Sequence, residues 1–60
     1  MLNIIKMCND NLGRVAHIHL KDGRTHTGTL FTVTDTDVFY IRDCELYGES
    51  LQTVSGVTIV

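Results

Sequence analysis

The sequence predicts a small, mainly β protein, in which a short N-terminal α-helix precedes a five-stranded, strongly bent antiparallel barrel. Three observations support this fold class. The 60 residues allow one domain, covering residues 1–60. After Gly13 the apolar residues recur at every second position, which is typical of a half-buried strand. Short polar or glycine-containing segments then separate five stretches that favour β structure.

Residues 2–11 predict the helix, because their apolar side chains recur at spacings of three and four and share one face. Gly13 follows at the position where a glycine commonly ends a helix. The apolar residues at these spacings are Leu2, Ile5, Cys8 and Leu12.

Turn-forming residues divide the rest of the chain into strands. Asp22-Gly23 and the polar segment Thr34–Asp37 each predict a reversal of the chain. Ser55-Gly56 breaks the C-terminal stretch into two short strands. The predicted strands span residues 14–21, 25–34, 38–45, 49–54 and 56–60.

Two registers are possible for the first hairpin. If Asp22-Gly23 alone forms the turn, Leu20 faces Thr25. If residues 22–24 form a three-residue loop, Leu20 faces His26, and Leu30 then lies on the same side of the sheet as the other apolar residues of the first strand. Burying Leu30 is worth roughly 1.5–3 kcal/mol. We therefore expect the three-residue loop, with Ala16, Ile18, Leu20 and Leu30 together in the core.

This register assigns a different role to each of two glycines. Gly23 supplies the positive φ that a short loop requires. Gly28 lies opposite Ile18 on the core side, in the middle of a long strand. A glycine in that position permits a sharp bend. We expect Gly28 to let the second strand curl around the barrel.

The composition narrows the class of partner. Five Lys and Arg stand against seven Asp and Glu, for a net charge of -2. Such a balance argues against a protein that coats nucleic acid through many phosphate contacts. The chain shows neither a run of apolar residues long enough to span a membrane nor a secretory signal, so we predict a cytoplasmic protein without a membrane partner. Cys8 and Cys44 are too few for a disulfide framework and predict buried or half-buried thiols.

Two segments resemble the motifs of the Sm and Sm-like (LSm) family. The frame GRVAHIHLKDGRTHTGTL, from Gly13 to Leu30, is similar to the first Sm motif, and VSGVTI, Val54–Ile59, is similar to the second. The chain is more distantly similar to the bacterial RNA chaperone Hfq. The resemblance implies an Sm-like, SH3-like barrel. It also implies a homo-oligomeric ring, in which the fourth strand of one subunit pairs with the fifth strand of the next, and single-stranded RNA bound at the pore.

The same resemblance implies a pore site on the loop after the second strand and at the break before the fifth. Thr36 is the nearest match to the stacking position of the family but cannot stack, and Ser55 replaces an arginine. Base recognition requires a planar partner and directed hydrogen bonds, so we expect only weak RNA binding. The alternative is a protein-interaction or structural ring that has lost base recognition. The candidate RNA-binding residues are Asp35, Thr36, Asp37, Ser55 and Gly56.

The C-terminal segment VTIV also favours self-association. It is apolar and uncharged, and an unpaired strand of this kind aggregates unless a partner covers it. Identical subunits that pair head to tail close into a ring when the rotation fits. The predicted oligomer interface consists of Leu51, Val54, Val57, Ile59 and Val60.

Other chemistries have less support. His17, His19 and His26 share one face only in the rejected register, so we expect no metal site. No Ser/His/Asp or Cys/His arrangement follows from the spacing, and we expect neither an enzyme, nor a cofactor, nor a small-molecule substrate. Tyr40 and Tyr47 are either ordinary strand aromatics, which we favour, or an exposed patch for a partner.

Overall fold

A computed structural model describes residues 2–60, with the side chain of Leu2 excepted. Five antiparallel strands form one sheet in the order β4-β3-β2-β1-β5, and a short helix precedes them. The predicted mainly β fold with an N-terminal helix is therefore confirmed. The elements are α1 (Leu2–Asp10), β1 (Val15–Leu20), β2 (Thr25–Val33), β3 (Asp37–Arg42), β4 (Glu45–Ser50), the 3₁₀ helix η1 (Leu51–Thr53) and β5 (Val54–Ile59).

The sheet is strongly curved, as two hydrogen bonds to η1 demonstrate. The Leu51 amide donates to the carbonyl of Thr36, which lies just after the end of β2. The amide of Lys21, which lies just before the start of β2, donates to the Thr53 carbonyl. A straight nine-residue strand would hold these two turns about 30 Å apart. Three residues of chain span at most about 11 Å. The single turn of η1 therefore holds the two ends of a bent β2 together. Within residues 2–60, β4 and β5 remain at opposite margins of the sheet, so the sheet is bent but is not closed into the predicted barrel.

The core lies on the concave inner face of this sheet. Alternate residues of β1 and β2 point into it, and α1 covers it through Cys8 and the partly buried Ile5. All four residues predicted for the first hairpin's core are buried there. Leu12, predicted on the helix face, lies beyond the helix end and is exposed. The predicted position of Leu2 on that face lies outside the described side chains. The buried residues are Cys8, Ala16, Ile18, Leu20, Leu30, Val38, Tyr40, Leu51, Val54 and Val57.

The register predicted for the first hairpin is wrong, because the loop lies one residue earlier than expected. The loop has three residues, but they are 21–23, because Leu20 pairs with Arg24 and the Gly23 amide donates to the Leu20 carbonyl. Gly23 has a φ of +94°, in the left-handed region. The last residue of a three-residue hairpin loop commonly adopts this conformation after a type I turn. Moving the loop by one residue shifts the pairing by two, so every side chain keeps its face. Gly28 accordingly lies opposite Ala16, and not opposite Ile18.

Gly28 is required by the close approach of β3. A Cβ at this position would lie 2.6 Å from the Tyr40 ring and 2.9 Å from the Ile41 carbonyl oxygen. The irregularity in β2 comes later, where Phe31 is an extra residue between the pairs Leu30–Tyr40 and Thr32–Phe39. Such a bulge bends its strand and increases the local twist. The prediction assigned the bend to Gly28 alone and missed this bulge.

The boundaries predicted for the third and fourth strands are wrong. The third does not continue to residue 45, because Asp43 and Cys44 form a two-residue turn with φ of 54° and 64°. Such turns usually contain Asn-Gly, and Asp-Cys gave no comparable signal. β4 therefore comprises Glu45–Ser50, and η1 occupies residues 51–53 of the strand predicted at 49–54. The break predicted at Ser55-Gly56 is also wrong, because β5 begins at Val54 and continues through both residues to Ile59. Cys44 is exposed at the turn, contrary to the prediction of a buried or half-buried thiol.

The helical segments are short. α1 has nine residues and η1 has three. Across residues 2–60 no helix combines the length and the hydrophobicity that a membrane crossing requires.

Candidate functional site

The turn between β2 and β3 contains three of the five residues predicted to bind RNA, and its hydroxyl groups bond mainly within the turn. The Thr34 hydroxyl oxygen accepts hydrogen bonds from the backbone amides of Thr36 (3.3 Å) and Asp37 (3.0 Å). The Thr36 hydroxyl donates to Asp37 Oδ2 at 2.6 Å. Threonine and aspartate commonly stabilise turns in this way. Thr36 and Asp37 therefore already have partners in the same chain.

Asp35 is the exception in this turn. Its side chain is exposed, whereas Asp37 is half-buried at the start of β3. Within residues 2–60, the side-chain hydrogen bonds of this turn join Thr34, Thr36 and Asp37, and none engages the Asp35 carboxylate. A free carboxylate can accept hydrogen bonds from the donor edge of a base, but it also repels phosphate.

Ser55 and Gly56 lie at an irregularity beside β1. His19 pairs with Gly56 and Leu20 with Val54, so Ser55 is the extra residue of a bulge in β5. Its hydroxyl donates to the His19 carbonyl at 3.2 Å. A Cβ at Gly56 would meet no atom within 4 Å, so close packing does not require glycine there. The structure links the β2–β3 turn to η1 through Leu51, but Ser55 bonds to β1 instead.

A cleft beside η1 was not predicted. It has a volume of about 280 Å³, and the β1–β2 turn forms one wall while the end of β4 and η1 form the other. The backbone hydrogen bond from Lys21 to Thr53 joins the two walls. These segments lie about thirty residues apart, and no motif connects them in the sequence. The polar residues that line the cleft are Lys21, Asp22, Arg24, Glu49, Gln52 and Thr53.

One of the two cations at this cleft is already paired. The Arg24 backbone amide donates to Asp22 Oδ1 at 3.0 Å, and Arg24 Nε donates to Oδ2 at 2.7 Å. Both hydrogen bonds hold the pKa of the Asp22 carboxyl below its usual value, and the bond from the backbone amide has the larger effect. Both side chains are more than half exposed, so the ion pair adds little to stability.

Glu49 joins the cleft to a stack of rings on the inner face. Tyr40 donates its hydroxyl hydrogen to Glu49 Oε2 at 3.1 Å, and His26 Nε2 lies 3.9 Å from the same oxygen. Burial and, to a smaller extent, this hydrogen bond raise the pKa of Tyr40 to about 12. The rings of His26, Tyr40 and Tyr47 follow one another at centroid distances of 6.3 and 5.6 Å. Tyr40 is fully buried and Tyr47 half-buried, which agrees with the interpretation of both as strand aromatics.

The three histidines do not come together. His17 Nδ1 lies 2.7 Å from the Thr27 hydroxyl, and His19 lies within hydrogen-bonding distance of Thr25 and Thr58 on the outer face. His26 points inward, as its position in the strand predicted. Within residues 2–60 no cluster of three or more potential ligands could hold a metal ion.

The residues predicted for the oligomer interface fall into two groups. The side chains of Leu51, Val54 and Val57 are buried in the core of the same chain, so they are not available to a neighbour. Ile59 packs partly against that core. Val60 is 73 % exposed. Any contribution of Val57 to an interface must therefore come from its backbone.

These features describe two kinds of surface: a polar turn and cleft with few free charges, and a sheet with two unpaired margins. No protein-family model, curated protein or solved structure matches this chain.

Proposed function

We propose that this chain is an Sm-like module that assembles into a homo-oligomeric ring and binds single-stranded RNA weakly. The observation that carries the assembly is the position of β4 and β5 at the two margins of one curved sheet. Each is hydrogen-bonded to a neighbouring strand on one side only. Two such margins on identical subunits can pair head to tail.

The backbone of β5 supports pairing of this kind. The Val60 amide donates to the Val15 carbonyl, and hydrogen-bonded pairs alternate with non-bonded pairs along an antiparallel ladder. Since Thr58 is therefore bonded to β1, the amides of Val57 and Ile59 point away from it, toward the free margin. Main-chain hydrogen bonds from these residues would join a neighbouring β4, while the Val57 side chain stays in the core.

The proposed RNA site combines the β2–β3 turn with the segment around Ser55. Asp35 offers free hydrogen-bond acceptors there, and the Thr36 and Ser55 hydroxyls can exchange their intrachain bonds for a base edge. Neither segment contains a lysine or an arginine. Affinity should therefore be weak, and its dependence on salt should be shallow.

A specific observation favours a second candidate, a protein-interaction or structural ring without base recognition. Thr34, Thr36 and Asp37 bond to one another, and Ser55 bonds to β1. Binding RNA at these groups would first break hydrogen bonds that stabilise the turn and the bulge. The resemblance to Sm-like proteins supports the RNA-binding candidate, and these contacts support the alternative.

Assembly is tested by the mass of the protein in solution. Sedimentation equilibrium at micromolar concentration should give a multiple of the 6.7 kDa chain mass. Ile59→Pro removes an outward amide and should reduce this mass, because proline cannot donate to a neighbouring strand. Ile59→Val is the matched control, since it shortens the same side chain and keeps the amide. A folded wild-type protein that stays monomeric would exclude the ring.

RNA binding is tested with short labelled uridine-rich and adenine-rich strands, read by fluorescence anisotropy across a salt series. Selective binding that survives physiological salt supports the RNA-binding candidate. Asp35→Ala should then change the base preference, and Thr36→Tyr should strengthen binding by supplying a stacking face, on the order of 1–3 kcal/mol. Binding that is absent, or equal for all sequences, supports the alternative.

A further inference from the structure

Five apolar side chains lie close together on the outer, convex face of the sheet. Ile41 is opposite Leu46 on β4 and Thr29 on β2, and Thr29 in turn is opposite Val15. Two phenylalanines flank this row, one at the bulge of β2 and one on β3. We define the outer patch as Val15, Phe31, Phe39, Ile41 and Leu46.

Most of the outer patch is accessible. Leu46 is 58 % exposed and Phe31 is 54 % exposed, values that are high for side chains of this size. Phe39 is half-buried because its ring lies over Gly48, where a Cβ would come within 2.9 Å of the ring. Gly48 thus lets the ring lie close to β4, so that Phe39 broadens the patch without projecting from it.

The strand positions of the outer face contain almost no charge, and the charged residues Arg14 and Asp43, which flank the patch in sequence, lie outside the strands. Among the strand residues only Asp37, Arg42, Glu45 and Glu49 are charged. Arg42 and Glu49 contact the inner tyrosines, and Glu45 pairs with Arg42 in the register. Only Asp37 alternates onto the outer face, at its margin, where the Thr36 hydroxyl bonds to it. The other outer positions of β1 and β2 carry mainly threonine and histidine.

We propose that the outer patch is the surface on which two copies of this chain pack back to back. An uncharged face offers no ion pair to RNA phosphates or to a strongly charged protein. A second copy of the chain needs no ion pair at this face, because it presents the same apolar surface and leaves no charge without a partner. A two-fold axis brings the same patch of each subunit together. Sheets that pack face to face lie about 10 Å apart, with their strands within about 30° of each other.

The dimensions of the molecule predict a weak complex. Its two longest extents are 26 and 23 Å, and their product, about 600 Å², is an upper limit to the flat outline of the outer face. Stable interfaces bury about 800 Å² per partner, and two convex faces touch over only part of their outlines, so the contact is smaller than a standard interface. Association should therefore depend on concentration in the micromolar range or above. The outer patch and the free margins of β4 and β5 are different surfaces, so back-to-back packing does not require ring formation.

The test compares charge substitutions on and off the outer patch by sedimentation equilibrium over a concentration series. Phe31→Lys and Ile41→Lys should each halve the mass that the wild type reaches at the highest concentration. Asn3→Lys adds the same charge at an exposed position of α1 and should leave that mass unchanged. Circular dichroism and thermal unfolding establish that each variant is folded. Phe31→Thr, which adds no charge and suits a strand, replaces any lysine variant that fails to fold and should also lower the mass.

The outcomes separate this proposal from edge pairing. Folded Phe31 and Ile41 variants that keep the wild-type mass overturn it, as does a wild-type mass that is independent of concentration. If Ile59→Pro lowers the mass and the Phe31 variants do not, the ring stands and back-to-back packing falls. If only the Phe31 and Ile41 variants lower it, back-to-back packing stands and the ring falls.

Discussion

The inner and outer faces of β2, β3 and β4 are built from alternate residues of the same segments, yet only the inner face is covered. Tyr40, on the inner face, is 1 % exposed and hydrogen-bonded to Glu49. Ile41, the next residue, is 37 % exposed on the outer face. The contrast shows that packing within the chain accounts for the inner face alone. Substitutions on the inner face should therefore change stability, whereas those on the outer face should change association.

The largest expected effect is at Gly28, where the inner face has no free space. Gly28→Ala should lower the free energy of unfolding by about 2–3 kcal/mol, because the new Cβ collides with the Tyr40 ring and the Ile41 carbonyl oxygen. Urea denaturation measures the change. Gly56→Ala is the matched control, since open space surrounds that position, and it should change stability by less than about 0.5 kcal/mol. Equal effects at the two glycines would contradict the close approach inferred at Gly28.

Tyr40 gives the inner face a dependence on alkaline pH. Its pKa is about 12 in the folded chain, above the usual tyrosine value of 10.0. The folded state thus favours the neutral phenol. This stabilisation is complete below pH 10 and is lost as the pH rises from 10 to 12. Between pH 9 and 11.5 the loss should be about 2 kcal/mol.

The Tyr40 contribution can be isolated by comparing the wild type with Tyr40→Phe in urea at both pH values. The two proteins share every other side chain, so the difference between their pH dependences reports Tyr40. A variant that loses as much stability as the wild type would show that Tyr40 is not the group responsible.

In the β3–β4 turn, where both faces end, a substitution should raise the free energy of unfolding. Asp43 and Cys44 both have positive φ, which is unfavourable for residues with a Cβ. Cys44→Gly should raise the free energy of unfolding by about 1 kcal/mol, because glycine adopts this conformation without steric cost. Cys44→Ser is the control, as it removes the thiol and keeps the strain. Chemical denaturation of the two variants side by side would reveal whether the backbone conformation or the thiol matters.

The smallest expected effect on stability is on the outer face itself. Phe31→Thr should change the free energy of unfolding by less than about 0.5 kcal/mol when measured at a concentration too low for association. The Phe31 side chain is mostly exposed and its loss leaves no cavity. A destabilisation of 2 kcal/mol or more would mean that the outer patch supports the fold of the single chain.

Alternation in the sequence determined which residues face the core. Apolar residues at every second position placed Ala16, Ile18 and Leu20 on the inner side, and the structure buries all three. This inference is robust because a shift of pairing by two residues leaves each side chain on its face. The helix, the number of strands that follow it and the need for a glycine at residue 23 also followed from local patterns.

Only the tertiary structure decided how the strands meet. The pairing of Gly28 with Ala16, the bulge at Phe31 and the contact of Gly28 with Tyr40 depend on neighbouring strands, which no local pattern specifies. The cleft between Lys21 and Thr53 exists because a curved β2 brings two distant turns to η1. The sequence determines whether a side chain points inward or outward, because successive side chains of a strand point to opposite faces. Register, curvature and the position of the candidate site depend on contacts between distant residues, which form only when the whole sheet is assembled.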